Sequence, residues 1–149
     1  MDLNLPSFDC RLSRGDDGVT RIYDCLRCKF VALTPEEWVR QHFVNFLITE
    51  LGYPRGLMAN EVSLKLNRTA RRCDTIVYSR QGRPLAIVEY KAPTIVITQS
   101  VFDQIARYNS VIGAPYLIVS NGLSHYCCHF DGKNQSYTFL RQIPGYESL

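Results

Sequence analysis

Two kinds of periodicity divide the sequence. Strand-like alternation fills much of the chain, and helical spacing interrupts it twice. The first helix starts at Thr34-Pro35-Glu36-Glu37, where a capping hydroxyl, a proline at the first helical position and Glu37 at the third form a capping box. The spacing predicts a helix to about Leu51, stopped by Gly52, with Val39, Phe43, Phe46, Leu47 and Glu50 on one side. Glu61 to Leu66 then alternates, with Val62, Leu64 and Leu66 on one face. RCDTIVY (Arg72 to Tyr78) and LAIVEYK (Leu85 to Lys91) are rich in strand formers. The SRQGRP linker between them suits a hairpin, so they are expected to be antiparallel neighbours. A second helix is expected over Gln99 to Ile112, with Val101, Ile105, Tyr108 and Ile112 as its apolar stripe. Tyr116 to Val119 is the expected central buried strand, and Ser124 to Phe130 and Ser136 to Gln142 complete the set. Ahead of all these, Arg21 to Leu33 predicts a single strand, entered from a turn at Asp17-Gly18. The expected organisation is an N-terminal extension (1–33) that packs on the body only in part, and one domain (34–149). The element order predicts an α/β fold, a mixed sheet flanked by helices.

Composition narrows the class without changing the picture. The chain has 149 residues, 46% of them hydrophobic, enough for one ordinary core. No apolar run approaches the roughly 20 residues needed to span a bilayer. MDLNLPSFDC lacks the basic and apolar regions of a secretory signal, so a cytoplasmic protein with no membrane partner is expected. A net charge of +3 permits nucleic-acid binding, and Lys65, Arg68, Arg71 and Arg72 concentrate positive charge within eight residues. The six cysteines do not predict a framework. Cys25 and Cys28 fall in a strand-like segment rather than on the turn a zinc knuckle uses, Cys127 and Cys128 point to opposite faces, and Cys10 and Cys73 are isolated. Reduced thiols are expected.

The chemistry concentrates in the hairpin. In LAIVEYK, Leu85, Ile87, Glu89 and Lys91 share one face, which is apolar at first and becomes Glu-x-Lys at its end. Asp74 lies near the start of the preceding strand, so an antiparallel hairpin brings it beside Glu89 and Lys91. Two carboxylates suit Mg²⁺, a hard ion that keeps several waters. A lysine beside them can orient or deprotonate an attacking water and stabilise charge developing on a phosphate.

The order Asp74-x14-Glu89-x-Lys91 resembles the signature of the PD-(D/E)xK nuclease superfamily. Together with RRCDTIVYSRQGRPLAIVEYKAP, Gln104-xxx-Tyr108 and YLIVSNG, it is similar to the N-terminal nuclease domain of type I restriction enzyme R subunits over roughly Thr34 to Phe130. The resemblance implies a restriction-endonuclease-like core that acts on DNA with Mg²⁺, for which Mn²⁺ would substitute. It makes Asp74 and Glu89 metal ligands and Lys91 the catalytic lysine. Gln104 and Tyr108 match the QxxxY motif of the RecB-like branch, which supports the site and contacts DNA. Glu37, with Glu36 as the alternative, would be the first-helix acid and a further metal ligand. Arg40 would brace that carboxylate or meet phosphate, and Arg72, in the basic run, would contact DNA. Cys73 stands where the family has proline. R subunits continue into a helicase-like motor, and no Walker loop is present before Leu149. Two functions therefore stay open: an endonuclease working with motor or specificity subunits, and a catalytically silent DNA-binding or assembly module of the same fold. Cutting both strands would favour a homodimer.

Overall fold

The computed structural model describes residues 1–66 and 69–149; of the basic run, Arg68 and the side chain of Arg71 lie outside what it describes. A six-stranded sheet runs in the order β4 (Met58–Leu66), β5 (Thr69–Tyr78), β6 (Pro84–Tyr90), β7 (Tyr116–Ser120), β8 (His125–Asp131), β9 (Ser136–Leu140). Every pairing is antiparallel except β6 with β7. Those two are joined through helix α2 (Gln99–Ile112), the crossover that parallel neighbours require. Helix α1 (Pro35–Thr49) covers one face and α2 the other. Period-2 geometry divides the core accordingly. Ala86, Val88 and Tyr90 of β6 pack with Phe43 and Leu47 of α1, while Ile87 packs with Phe102 and Ile105 of α2. Cys127 and Cys128 go to opposite clusters, as the sequence implied. The mixed sheet flanked by helices is the expected architecture.

Two elements depart from expectation. The segment from Arg21 to Leu33 is two strands, β2 (Thr20–Asp24) and β3 (Lys29–Ala32), which with β1 (Leu12–Arg14) make a separate antiparallel sheet. Asp24 is the reason for the break. Its Oδ1 accepts from the backbone N–H groups of Leu26 (2.7 Å) and Arg27 (3.1 Å), and this local capture replaces the sheet ladder with a turn. Cys25 and Cys28 therefore lie on a turn and not in a strand. Even so, no group of three His, Cys, Asp or Glu suited to a metal ion exists among the described residues, and all six cysteines are free. The second departure is in α2, where Tyr108 is 43% exposed. Phe102, Ile105, Ala106 and Asn109 fill the i, i+3, i+4, i+7 stripe instead, and buried Asn109 donates from Nδ2 to Ala114 O at 3.2 Å.

The N-terminal segment packs more closely than the sequence suggested. Asn4 N–H donates to Gly122 O at 2.8 Å, Trp38 Nε1 to Met1 O at 3.1 Å, and Leu3 and Leu5 join the α1 cluster. Gly122 (φ 85°) makes this approach possible, because a Cβ there would lie 2.7 Å from Leu3 Cδ2. Among the described residues no helix is long and apolar enough to cross a membrane.

Two histidines report on this packing. His42 sits against Trp38 and Phe8 with Nδ1 2.8 Å from Trp38 O, and His125 bridges Ser120 and Asn4 O. Burial holds both below the ordinary imidazole range, so the folded chain keeps them neutral. Unfolding lets them take up protons near pH 6.5, so their contribution is complete above that pH and is lost as pH falls below it. The melting temperature is expected to drop from pH 7.5 to 5.5, and His42→Gln should flatten that slope. An unchanged slope in the variant would acquit His42.

Candidate functional site

The hairpin delivers Asp74 to the end of β6. Ladder pairing between β5 and β6 begins at Thr75–Val88, and one residue earlier Asp74 Oδ2 accepts the backbone N–H of Tyr90 at 2.9 Å. Asp74 is thus pinned to the peptide that lies between Glu89 and Lys91. Glu89 is half-buried, and Lys91, just past the strand, is anchored by its own N–H on Ser120 O of β7 at 2.9 Å.

Behind Asp74 lies a closed ring of polar contacts. Tyr90 and Thr75 hydroxyls are 2.9 Å apart, and Thr75 Oγ1 donates to Asn60 Oδ1 at 2.6 Å. Thr75 has one proton to give, so the Tyr90 O–H donates to Thr75. Asn60 Nδ2 donates to Asp24 Oδ2 at 2.9 Å, and that carboxylate is also held by Arg27 Nε. Arg27 Nη2 pairs with Glu37 Oε1, and Glu37 Oε2 lies 3.1 Å from Arg40 Nε. Arg40 Nη2 returns to Asp74 Oδ1 at 3.6 Å and pairs with Glu61 Oε1, whose other oxygen is 2.5 Å from Arg72 Nε. The elements involved are the β2–β3 turn, α1, β4, β5 and β6.

The electrostatics follow from burial against pairing. For Asp24, fully buried, desolvation alone would raise the carboxyl, but Asn60, Arg27 and the turn N–H groups together hold it below the usual range. Burial pushes Glu37 up, outweighing Arg40 and Arg27. Burial opposes the charge on Arg40, and Glu37, Glu61 and Asp74 more than restore it.

These contacts sort the expected residues. Asp74, Glu37, Arg40 and Arg72 meet in one network, with Glu89 and Lys91 on the strand end that holds Asp74. Glu36 is exposed, so Glu37 is the first-helix acid that faces inward. Its N–H caps onto Thr34 Oγ1 at 3.1 Å, but the reciprocal half of the capping box is missing because its carboxylate turns to the arginines. Both Glu37 oxygens face guanidinium groups, which does not fit a metal ligand. Asp74 and Glu89 do fit Mg²⁺: they are hard oxygen donors, few in number, and the Asp74 side chain is 25% exposed to solvent that could complete a shell. Gln104 and Tyr108, one turn apart on α2, are both exposed. Sequence reasoning missed Asp24, Arg27, Asn60, Glu61, Thr75 and Tyr90. Thr75 was legible in principle, as a polar residue on the buried face of an apolar strand. Glu61 was not, since its inward aim comes from a left-handed backbone (φ 58°) inside β4.

A family model described as type I restriction enzyme R protein N terminus matches residues 35–144. Among solved structures, a chain described as a fragment of an HsdR subunit of a type I restriction enzyme from Vibrio vulnificus YJ016 is similar in fold, with a TM-score of 0.53 and 19% identity. The match covers 75% of this chain and 24% of that one, so the chain spans about a quarter of the solved relative's length. No curated protein matches the sequence.

Proposed function

The chain belongs to the family of type I restriction enzyme R protein N termini, and on that premise we propose that it is a Mg²⁺-dependent endonuclease domain that hydrolyses DNA phosphodiester bonds in the cytoplasm. The observation that carries this reading is the hydrogen bond from Tyr90 N–H to Asp74 Oδ2, which fixes one carboxylate beside the Glu89–Lys91 strand end. Asp74 and Glu89 would hold the ion, which supplies Lewis-acid polarisation of the phosphate and a bound water of lowered pKa. Lys91 orients or deprotonates the attacking water and meets charge developing on the phosphate. Glu37 holds Arg40 beside Asp74, and exposed Arg72, Gln104 and Tyr108 are available to the nucleic acid. Motor or specificity subunits, and a second copy for double-strand cutting, are the partners this reading calls for. Supercoiled plasmid incubated with Mg²⁺ should be nicked or linearised by the wild type and left intact by Lys91→Ala. Equal cleavage by the two proteins sinks the mechanism.

One observation favours a second reading. Arg40 already faces Asp74 Oδ1, as an internal ion pair would in a module that keeps the fold without the chemistry. That module binds DNA in a salt-dependent way and cleaves with no divalent ion tried.

A further inference from the structure

Three carboxylates from three different strands and helices converge on one guanidinium. Glu37 of α1, Glu61 of β4 and Asp74 of β5 all face Arg40, which is itself only 7% exposed. Their ties to it are unequal. Glu61 is bound tightly, and Glu37 Oε2 is 3.1 Å from Arg40 Nε. Asp74 Oδ1 stands off at 3.6 Å, and Asp74 is also the most exposed of the three acids. Arg40 is moreover incompletely satisfied. Its Nε and Nη1, and Glu37 Oε2, are buried without an aligned hydrogen bond, so the 3.1 Å contact is close but poorly directed. Arg40 is thus not locked to any one acid through its whole donor set, and its tie to Asp74 is the loosest of the three.

The charges lead to the same conclusion. Asp24, Glu37, Glu61 and Asp74 face Arg27, Arg40 and Arg72, which leaves one carboxylate more than there are guanidinium groups. The loosest of these acids is the one open to water. We propose that Arg40 is the resident counter-cation of Asp74, which a divalent ion must displace from Oδ1 in order to bind. Glu61 sets the terms of the exchange. By holding Arg40 Nη2 it keeps the guanidinium off Asp74, and it receives the guanidinium when the ion arrives. The inference rests on the proposed metal site and adds a residue that regulates its affinity.

The test uses the full chain and two readouts that do not depend on cleavage. In ¹⁵N,¹³C-labelled protein titrated with Mg²⁺, the carboxyl signals of Asp74 and Glu89 and the Nε–H signal of Arg40 are all expected to move with one binding curve. If the carboxyls move and Arg40 stays, the inference is overturned and the metal site survives. If no carboxyl moves, both are overturned. The second readout is Mn²⁺ affinity in the paired variant Arg40→Gln/Glu61→Gln, which removes one positive and one negative charge and leaves the local sum unchanged. Removing a competing cation about 4 Å from Asp74 is expected to tighten Mn²⁺ binding about tenfold. Unchanged or weaker binding by the folded variant overturns the inference. Should the variant not fold, the wild-type titration decides alone.

Discussion

Arg40→Ala is expected to lower the stability of the fold by about 3–5 kcal/mol, the range seen when one partner of a buried ion pair is removed. Arg40 comes from the middle of α1 and reaches Glu37, Glu61 and Asp74, each of which is at least three-quarters buried. Its loss leaves Asp74 with no facing guanidinium and leaves Glu37 and Glu61 with one each, from Arg27 and Arg72. Burial already pushes Glu37 toward its protonated form with Arg40 present, so Glu37 gives up its charge first in the variant. That sets a sign. A carboxyl whose folded pKa is raised costs stability above its unfolded pKa, so lowering the pH through the folded pKa should rescue the variant in part. Arg40→Lys should fall between the two, because one ammonium cannot span three carboxylates as a planar fork does. Urea denaturation of the three proteins at pH 7.5 and 5.5 checks both statements. Arg21→Ala, at the exposed Asp17–Arg21 pair, is the control that should barely register. An Arg40→Ala midpoint equal to that of the control would remove Arg40 from the centre of the network.

The contrast between Arg40 and Glu61 also shows what the chain reveals before it folds. Periodicity predicts nearly every element of the large sheet, because each strand there has an apolar face with a partner to bury it. The same reasoning puts Asp74, Glu89 and Lys91 at one end of a hairpin, which needs only antiparallel pairing and the pleat. It fails where a side chain takes over the work of the ladder. Asp24 breaks a predicted strand by capturing two N–H groups, and in doing so places Arg27 in the site. No period carries that information. Glu37 was ambiguous for a different reason. A cap and a buried acid ask for the same residue at the same position, and only the direction of the carboxylate separates them. The spacing of Val101, Ile105 and Ile112 places Tyr108 on the core stripe, but Phe102 and Ala106 form a competing apolar face with the same Ile105, and that face is the one buried. In a helix this short, a shift of one residue moves the stripe by about 100°.

Asp74→Asn separates the fold from the chemistry more sharply than any truncation. The amide oxygen of asparagine can still accept the Tyr90 N–H, so the pin between β5 and β6 survives. What disappears is the negative charge of a side chain whose Oδ1 faces Arg40 and which is 25% exposed to solvent. A neutral amide is a poor substitute for carboxylate in holding Mg²⁺. In the proposed reaction the several kcal/mol of transition-state stabilisation that a bound ion would supply would go with it, and about 4 kcal/mol is roughly a thousandfold in rate. Plasmid cleavage by Asp74→Asn should therefore fall by about that factor, while its urea midpoint should move far less than that of Arg40→Ala. The two numbers have to be read together. A large loss of both would mean that Asp74 holds the sheet together and that the cleavage result carries no chemical information. Retained stability with retained cleavage would show that the reaction does not pass through Asp74. Lost cleavage in a protein that melts normally is the outcome that places the chemistry at the Asp74 carboxylate.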